Sequence, residues 1–117
     1  MKLETDMNDI KTTIAFQGEL GANSHMACIE ARPNFDVLPC HSFEDMLAAV
    51  QEKRAIEAMV PVENSVAGRV ADIHHLLPES GLFITGEHFQ RINAMLLGIK
   101  GASINQLTEI HSHVHAL

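Results

Sequence analysis

The residues best suited to hold a small anion lie in two polar segments that follow predicted strands. The first segment, residues 18–24, reads Gly-Glu-Leu-Gly-Ala-Asn-Ser and leads into a predicted helix. A helix N-terminus presents free N–H groups and a partial positive charge, which favour carboxylates and phosphates. Gly21, Ala22, Asn23 and Ser24 are therefore candidate binding residues. The alternative is a glycine turn with an ordinary helix cap, and the spacing does not fit a nucleotide-binding loop.

The second polar segment follows the third predicted strand. Residues 61–68 read Pro-Val-Glu-Asn-Ser-Val-Ala-Gly. The side chains of Asn64 and Ser65 can donate hydrogen bonds to an anion, and Glu63 can accept or relay a proton. Since open α/β sheets bind ligands at the carboxyl ends of their strands, we expect the two segments to share one edge. The alternative is a strand-to-helix loop that Asn64 or Ser65 caps.

The histidines and cysteines do not form a metal or redox motif. His111, His113 and His115 alternate as residues on one face of a strand would, but a predicted helix start interrupts them. No carboxylate or cysteine is spaced to complete a four-ligand site, so we expect no metal. Cys28 and Cys40 do not form a CxxC pair, and we expect them to be reduced thiols in a cytoplasmic protein.

The composition excludes several classes of partner. The 117 residues include 15 acidic and 8 basic side chains, giving a net charge of −7. This balance argues against nucleic acid and against an anionic membrane surface as partners. The sequence has no apolar run of the roughly 20 residues that a membrane-spanning helix needs, and its polar N-terminus does not resemble a secretory signal.

The elements that must position these residues alternate between strands and helices. We predict strands at residues 12–16, 35–40 and 56–62, and helices at residues 25–31 and 43–53. Asn23 or Ser24 is the expected cap of the first helix, and Ser42 with Asp45 that of the second. The alternation predicts an α/β fold with a mostly parallel sheet flanked by helices.

The second half of the chain gives weaker patterns. Ser103 and Gln106 fit a capping box for a helix of one or two turns. The other predicted elements are a helix at residues 70–77, strands at 82–89, 92–99 and 108–113, and a helix start from residue 112. Residues 1–11 are polar and aperiodic, and we expect them to be frayed or disordered.

Taken in order, the segments of this chain resemble the prephenate dehydratase family. Residues 14–24 are similar to the family's first strand and glycine-rich loop, and residues 38–45 to its second strand and following helix. Residues 60–68 resemble its Pro-x-Glu-Asn-Ser motif, and residues 112–117 resemble a Ser-His-Pro-Gln-Ala-Leu segment.

Some positions depart from the family pattern. Ala22 stands where the family has Thr and Asn23 where it has an aromatic residue, so a hydroxyl contact expected at position 22 is absent. Val114 and His115 replace Pro and Gln in the last segment.

The resemblance implies a two-lobed fold of the type II periplasmic-binding-protein kind, with the active site in the cleft. Residues 12–88 would form the first lobe, and residues 89–117 the start of a truncated second lobe. The resemblance also implies substrate contacts from Gly21–Ser24, Asn64 and Ser65, with His113 near the cleft. The family's usual candidate for the general acid, the Thr of a Thr-Arg-Phe motif, would lie in the missing half.

The implied function is that of a carbon–oxygen lyase of L-phenylalanine biosynthesis. Prephenate would lose CO2 and water to give phenylpyruvate, without a cofactor, in a chain that is inactive alone. Glu63, Asn64 and Ser65 would support the missing acid. We also expect a homo-oligomer, because an incomplete second lobe leaves apolar faces and strand edges uncovered. The alternative is a non-catalytic lobe of the same fold that binds or senses a small anion.

Overall fold

Three parallel strands form the centre of the structure, with β1 between β2 and β3. The computed structural model describes residues 12–113. The strands are β1 (Thr13–Gln17), β2 (Asp36–Cys40) and β3 (Glu57–Met59). They confirm the predicted α/β class and the parallel sheet.

Helices connect and cover these strands. They are α1 (Asn23–Ala31), α2 (Phe43–Gln51) and α3 (Ala71–Leu76), and a 3-10 turn at Leu77–Glu79 extends the last of them. Between β3 and α3 lies an antiparallel hairpin of two short strands, β4 (Glu63–Asn64) and β5 (Gly68–Arg69). No helix within residues 12–113 is long and apolar enough to cross a membrane.

The side chains of β1 alternate between two buried faces, as expected of a central parallel strand. On one face, Ile14 and Phe16 pack with Cys28 of α1. On the other face, Ala15 packs with residues of α2 and α3, among them Met46 and Ile73. Helices therefore cover both faces of the sheet, and apolar burial on each face holds β1 in place.

The two cysteines are free buried thiols and belong to opposite faces of the sheet. Burial raises the pKa of Cys28 to about 11 and raises the pKa of Cys40 as well. Both thiols are therefore protonated at neutral pH and behave as small apolar core residues.

An ion pair ties the end of α1 to the start of β3. The Arg32 guanidinium donates to both carboxylate oxygens of Glu57, at 2.6 and 3.1 Å, and lies 5.8 Å above the Phe35 ring. Since Glu57 is the first residue of its strand, this contact stabilises the amino edge of the sheet. It therefore lies away from the predicted ligand-binding edge.

Three of the predicted elements differ from the structure by two residues or more at a boundary. α1 begins two residues early and has Ala22 at its N-cap, so neither Asn23 nor Ser24 caps it. α2 ends at Gln51 rather than residue 53, because Lys53 adopts a positive φ of 64° that a helix does not accommodate. β3 has three residues, not seven, because β1 is paired with only Glu57–Met59.

The strands predicted at residues 82–89, 92–99 and 108–113 are absent from the described residues. Between residues 81 and 113 the only regular element is a 3-10 turn at Ile104–Gln106, where the Ser103 N–H donates to the Gln106 side chain. The apolar spacing predicted strands, but a strand requires a neighbour that pairs its backbone, and residues 83–98 make no backbone–backbone hydrogen bond to any described residue. The frayed N-terminus and the helix from residue 112 were predicted for residues that lie largely outside the described part.

The cap of α2 gives a direct stability prediction. The Ser42 hydroxyl accepts the Asp45 N–H at 3.1 Å, as the sequence predicted. We expect Ser42→Ala to lower the free energy of unfolding by about 1 kcal/mol, measured by urea denaturation. Ser65→Ala is the matched control, because the exposed Ser65 hydroxyl makes no hydrogen bond among the described residues. An equal loss in the two variants would contradict the assigned cap.

Candidate functional site

The topology brings the two predicted polar segments to one edge of the sheet. β1 and β3 are parallel neighbours, paired as Phe16↔Met59 near their ends. The turn after Gln17 and the segment after Met59 therefore leave the sheet at the same carboxyl edge. α1 begins at this edge as well, since it follows the first turn.

The glycine turn has a conformation that depends on its two glycines. Gly18 and Gly21 have φ values of 128° and 93°, in a region that side chains with a Cβ rarely adopt. The Gly18 N–H donates to the Cys40 carbonyl at 2.9 Å, and the Ala22 N–H donates to the Glu19 carbonyl at 3.1 Å. The first bond anchors the turn to β2, and the second closes the turn itself.

The backbone donors that remain for a ligand differ from those predicted. The Gly21 N–H donates to Nδ1 of His25 at 2.8 Å, and the Ala22 N–H is already paired within the turn. Within residues 12–113, the N–H groups of Asn23, Ser24 and His25 have no acceptor. The available donors are therefore the first three amides of α1, whereas the predicted donors Gly21 N–H and Ala22 N–H are paired within the turn.

His25 is a part of this turn that the sequence reasoning missed. Its ring stacks on the buried Phe16 ring, with the centroids 5.5 Å apart and the planes 16° from parallel. The sequence signal was a histidine in the first turn of a helix, four residues after a glycine. That spacing alone does not reveal the hydrogen bond, which requires the positive φ of Gly21.

Asn64 shapes the second segment. Its Oδ1 accepts the N–H groups of Val66 at 2.9 Å and Ala67 at 3.0 Å, which closes the hairpin between β4 and β5. Asn64 therefore caps a hairpin turn and not a helix, and α3 has Val70 at its N-cap. Because Oδ1 is occupied, the Asn64 amide group can offer only its Nδ2 donors to a ligand.

The neighbours of Asn64 are more exposed. Ser65 lies in the turn and its hydroxyl makes no hydrogen bond among residues 12–113. Glu63 is exposed and is paired through its backbone with Arg69 across the hairpin. The side chains of both residues thus present polar groups to solvent without a hydrogen-bond partner in the described part of the chain.

The base of the hairpin is held against α3. The Val62 carbonyl accepts the Val70 N–H at 3.0 Å, and Nε2 of His74 lies 3.2 Å from the same oxygen. A proton on Nε2 makes this second contact a hydrogen bond. His74 therefore serves a positional role, and the hairpin has a defined relation to the helix that follows it.

His113 is exposed and lies in residues 81–113, which contribute no strand to the three-stranded sheet. No three metal-ligating side chains gather within residues 12–113, and His115 lies outside the described residues. An open hollow of about 530 Å³ is lined by residues 98–103, Gln106–Glu109 and His111, and it includes neither Ser24 nor Asn64.

Comparison with known families decides the family of the chain. A model of the family described as "PDT: Prephenate dehydratase" matches residues 14–117, which is most of the sequence. The chain belongs to the prephenate dehydratase family. The resemblance drawn from the sequence motifs is thereby confirmed.

Relatives in this family carry more than one activity in their names. A bifunctional N-acyl-homoserine lactone acylase/prephenate dehydratase of Komagataeibacter europaeus is 55% identical over 104 residues, covering 89% of this chain and 37% of that protein. Arogenate dehydratase/prephenate dehydratase 1 of Arabidopsis thaliana is 36% identical over 113 residues, covering 97% of this chain and 29% of that protein.

A solved structure supports the fold of this prephenate dehydratase family member. The structure, titled "GqqA- a novel type of quorum quenching acylases", has a TM-score of 0.64 and 59% sequence identity. The matched region covers 69% of this chain and 42% of the chain in that structure. The chain thus spans less than half the length of these relatives.

Two substitutions test the structural role of the Asn64 side-chain oxygen, separately from the N–H groups that its amide can donate to a ligand. Asn64→Ala removes the acceptor, so we expect the Val66 and Ala67 amides to exchange about tenfold faster, each hydrogen bond contributing about 1 kcal/mol. Asn64→Asp retains an acceptor oxygen and should preserve their protection. Hydrogen exchange by NMR measures both. Unchanged protection in Asn64→Ala would show that the turn does not depend on this side chain.

Proposed function

We propose that this chain supplies the ligand-binding lobe of a prephenate dehydratase. The proposal is carried by the set of neutral donors on the carboxyl edge: the amides of Asn23, Ser24 and His25, and Nδ2 of Asn64. Prephenate is a dicarboxylate, and helix N-terminal amides bind carboxylates without a cationic side chain. Family membership supplies the substrate class.

The chemistry requires binding and orientation more than a reactive group from this lobe. Prephenate loses its ring hydroxyl and a carboxylate as CO2, and formation of the aromatic ring in phenylpyruvate drives the reaction. Donors held near the developing charge and orientation of the leaving groups both lower the barrier. A positioned acid for the departing hydroxyl adds on the order of 10²–10⁴-fold.

The general acid is expected outside this chain. Asn64 and Ser65 would then support the reaction by holding substrate, and Glu63 by orienting the hairpin loop rather than by transferring a proton. Because the chain spans 37% of the acylase/dehydratase relative, most of a whole enzyme lies beyond the aligned part. We therefore propose that these residues bind prephenate without converting it.

Several finer expectations belong to the same proposal. A two-lobed fold of the type II periplasmic-binding-protein kind would pair residues 12–88 with a second lobe that begins at residues 89–117. His113 would approach the substrate from that second lobe. A cytoplasmic location fits the two free, buried thiols.

Titration with prephenate tests the proposal. We expect chemical shift changes at the Asn23, Ser24 and His25 amides and at the Asn64 side-chain amide, followed by 1H–15N NMR. Asn64→Asp should weaken binding at least about tenfold, because it exchanges a donor for a negative charge facing a dianion. Phenylpyruvate formation, assayed in parallel, should stay at background.

A matched variant controls for net charge in this titration. Asn34→Asp makes the same substitution on an exposed residue just before β2, at the opposite edge of the sheet, and should leave the affinity unchanged. Absence of shifts at the three α1 amides would refute the proposed site. Robust turnover would contradict the assignment of the acid to another part of the protein.

An acylase function is the second candidate. It is favoured by the names of the 55% identical relative and of the 59% identical structure, both of which include acylase activity. An N-acyl-homoserine lactone is neutral, so it would not require a set of anion-binding amides. Binding of such a lactone at these amides, with no response to prephenate, would favour this candidate.

We also propose that copies of this chain associate through residues 82–110. Phe83, Phe89, Leu97 and Ile99 are each at least 85% exposed, and residues 83–98 have no backbone–backbone hydrogen bond within residues 12–113. Two such segments can pair as strands and bury these side chains, which is how uncovered strands commonly associate.

Light scattering coupled to gel filtration checks this association. We expect a mass of at least two chains, and the double variant Phe89→Ser with Leu97→Ser should shift the population toward monomer. Val66→Ser is the control, because Val66 is also exposed, at 88%, but lies in the hairpin. A wild-type monomer at all concentrations would refute the proposal.

A further inference from the structure

The imidazole of His25 connects the glycine turn to the core. Its Nδ1 accepts the Gly21 N–H at 2.8 Å, and its ring stacks on Phe16, which is fully buried. We propose that His25 is a positioning residue that holds the turn, and with it the three free amides of α1, in the form that binds substrate. This inference rests on the proposed function, because it concerns the same ligand site.

The hydrogen bond specifies one state of the ring. An imidazole nitrogen accepts a hydrogen bond only when it carries no proton, so the neutral His25 must hold its proton on Nε2. A proton on Nδ1 would place two N–H groups face to face across 2.8 Å. The turn as observed therefore requires the Nε2–H tautomer.

Few other contacts hold the turn in this shape. In residues 12–113, the other backbone bonds of residues 18–22 run from the Gly18 N–H to the Cys40 carbonyl, from the Ala22 N–H to the Glu19 carbonyl, and from the Met26 N–H to the Ala22 carbonyl. The Ala22 bond closes a four-residue turn with Gly21 at its third position, but none of these bonds engages the Gly21 N–H. Within the described residues, the His25 ring is thus the sole hydrogen-bond partner of the Gly21 amide.

The ring is itself well placed to act as a restraint. The stack on Phe16 fixes the plane of the imidazole relative to the central strand, since Phe16 belongs to β1. Gly21 directly precedes Ala22, the N-cap of α1. The His25 ring therefore links Gly21 to the core. Because Gly21 precedes the first turn of α1, this link also restrains the amides of Asn23 and Ser24.

Two substitutions separate the proposed bond from the general size of the side chain. His25→Asn retains an oxygen close to the position of Nδ1, so it can still accept the Gly21 N–H. His25→Gln extends past that position toward Nε2 and leaves the Gly21 N–H without its acceptor. We expect prephenate affinity to stay within about threefold of wild type in His25→Asn and to fall about tenfold in His25→Gln.

The measurement combines three NMR readouts on the same chain. The imidazole 15N shifts report the tautomer, the Gly21 amide proton shift reports the hydrogen bond, and titration with prephenate reports affinity. His75→Gln is the matched control, since the His75 side chain is exposed and makes no hydrogen bond among the described residues. It should alter none of the three readouts.

The outcomes separate this inference from the function on which it rests. A wild-type ring with its proton on Nδ1 would overturn the inference, as would unchanged prephenate affinity in His25→Gln. Equal losses in His25→Asn and His25→Gln would overturn it too, because they would indicate a packing role only. No binding by the wild-type chain would overturn the proposed function and this inference together.

Discussion

Parallel pairing of β1 with both of its neighbours is the constraint on which the rest of the structure depends. Because β1 lies between β2 and β3, its side chains are buried on both faces, and its end fixes where the glycine turn begins. The same pairing directs the end of β3 to that edge and thereby brings the Asn64 hairpin to the side of the sheet where α1 starts. Without this pairing, the topology would not bring the two polar segments to the same edge of the sheet.

The edge that results is rich in neutral donors. The first amides of α1 and the Asn64 side chain offer N–H groups, and the nearby Arg69 is an exposed residue of the hairpin. A chain with a net charge of −7 repels a free dianion at long range, so binding must come from short-range hydrogen bonds. N–H dipoles bind an anion effectively when their direction is fixed before the ligand arrives. The hydrogen bonds within the turn and within the hairpin fix that direction.

Much of this arrangement could be predicted from local patterns. The β-branched run of β1, the Ser42 cap and the alternation of strands with helices depend on neighbouring residues, and each was confirmed. The identity of the free amides depends on the φ of Gly21 and on the ring of His25, which no residue pattern encodes. The strands predicted in residues 82–99 failed for a different reason, because a strand requires a partner strand and none lies beside that segment in the described structure.

The most direct test of the account is a crystal structure of this chain with prephenate bound. We predict a substrate carboxylate within hydrogen-bond distance of the Ser24 amide, with Nδ2 of Asn64 bound to the same ligand. A prephenate molecule bound elsewhere, for example in the hollow formed by residues 98–111, would contradict it.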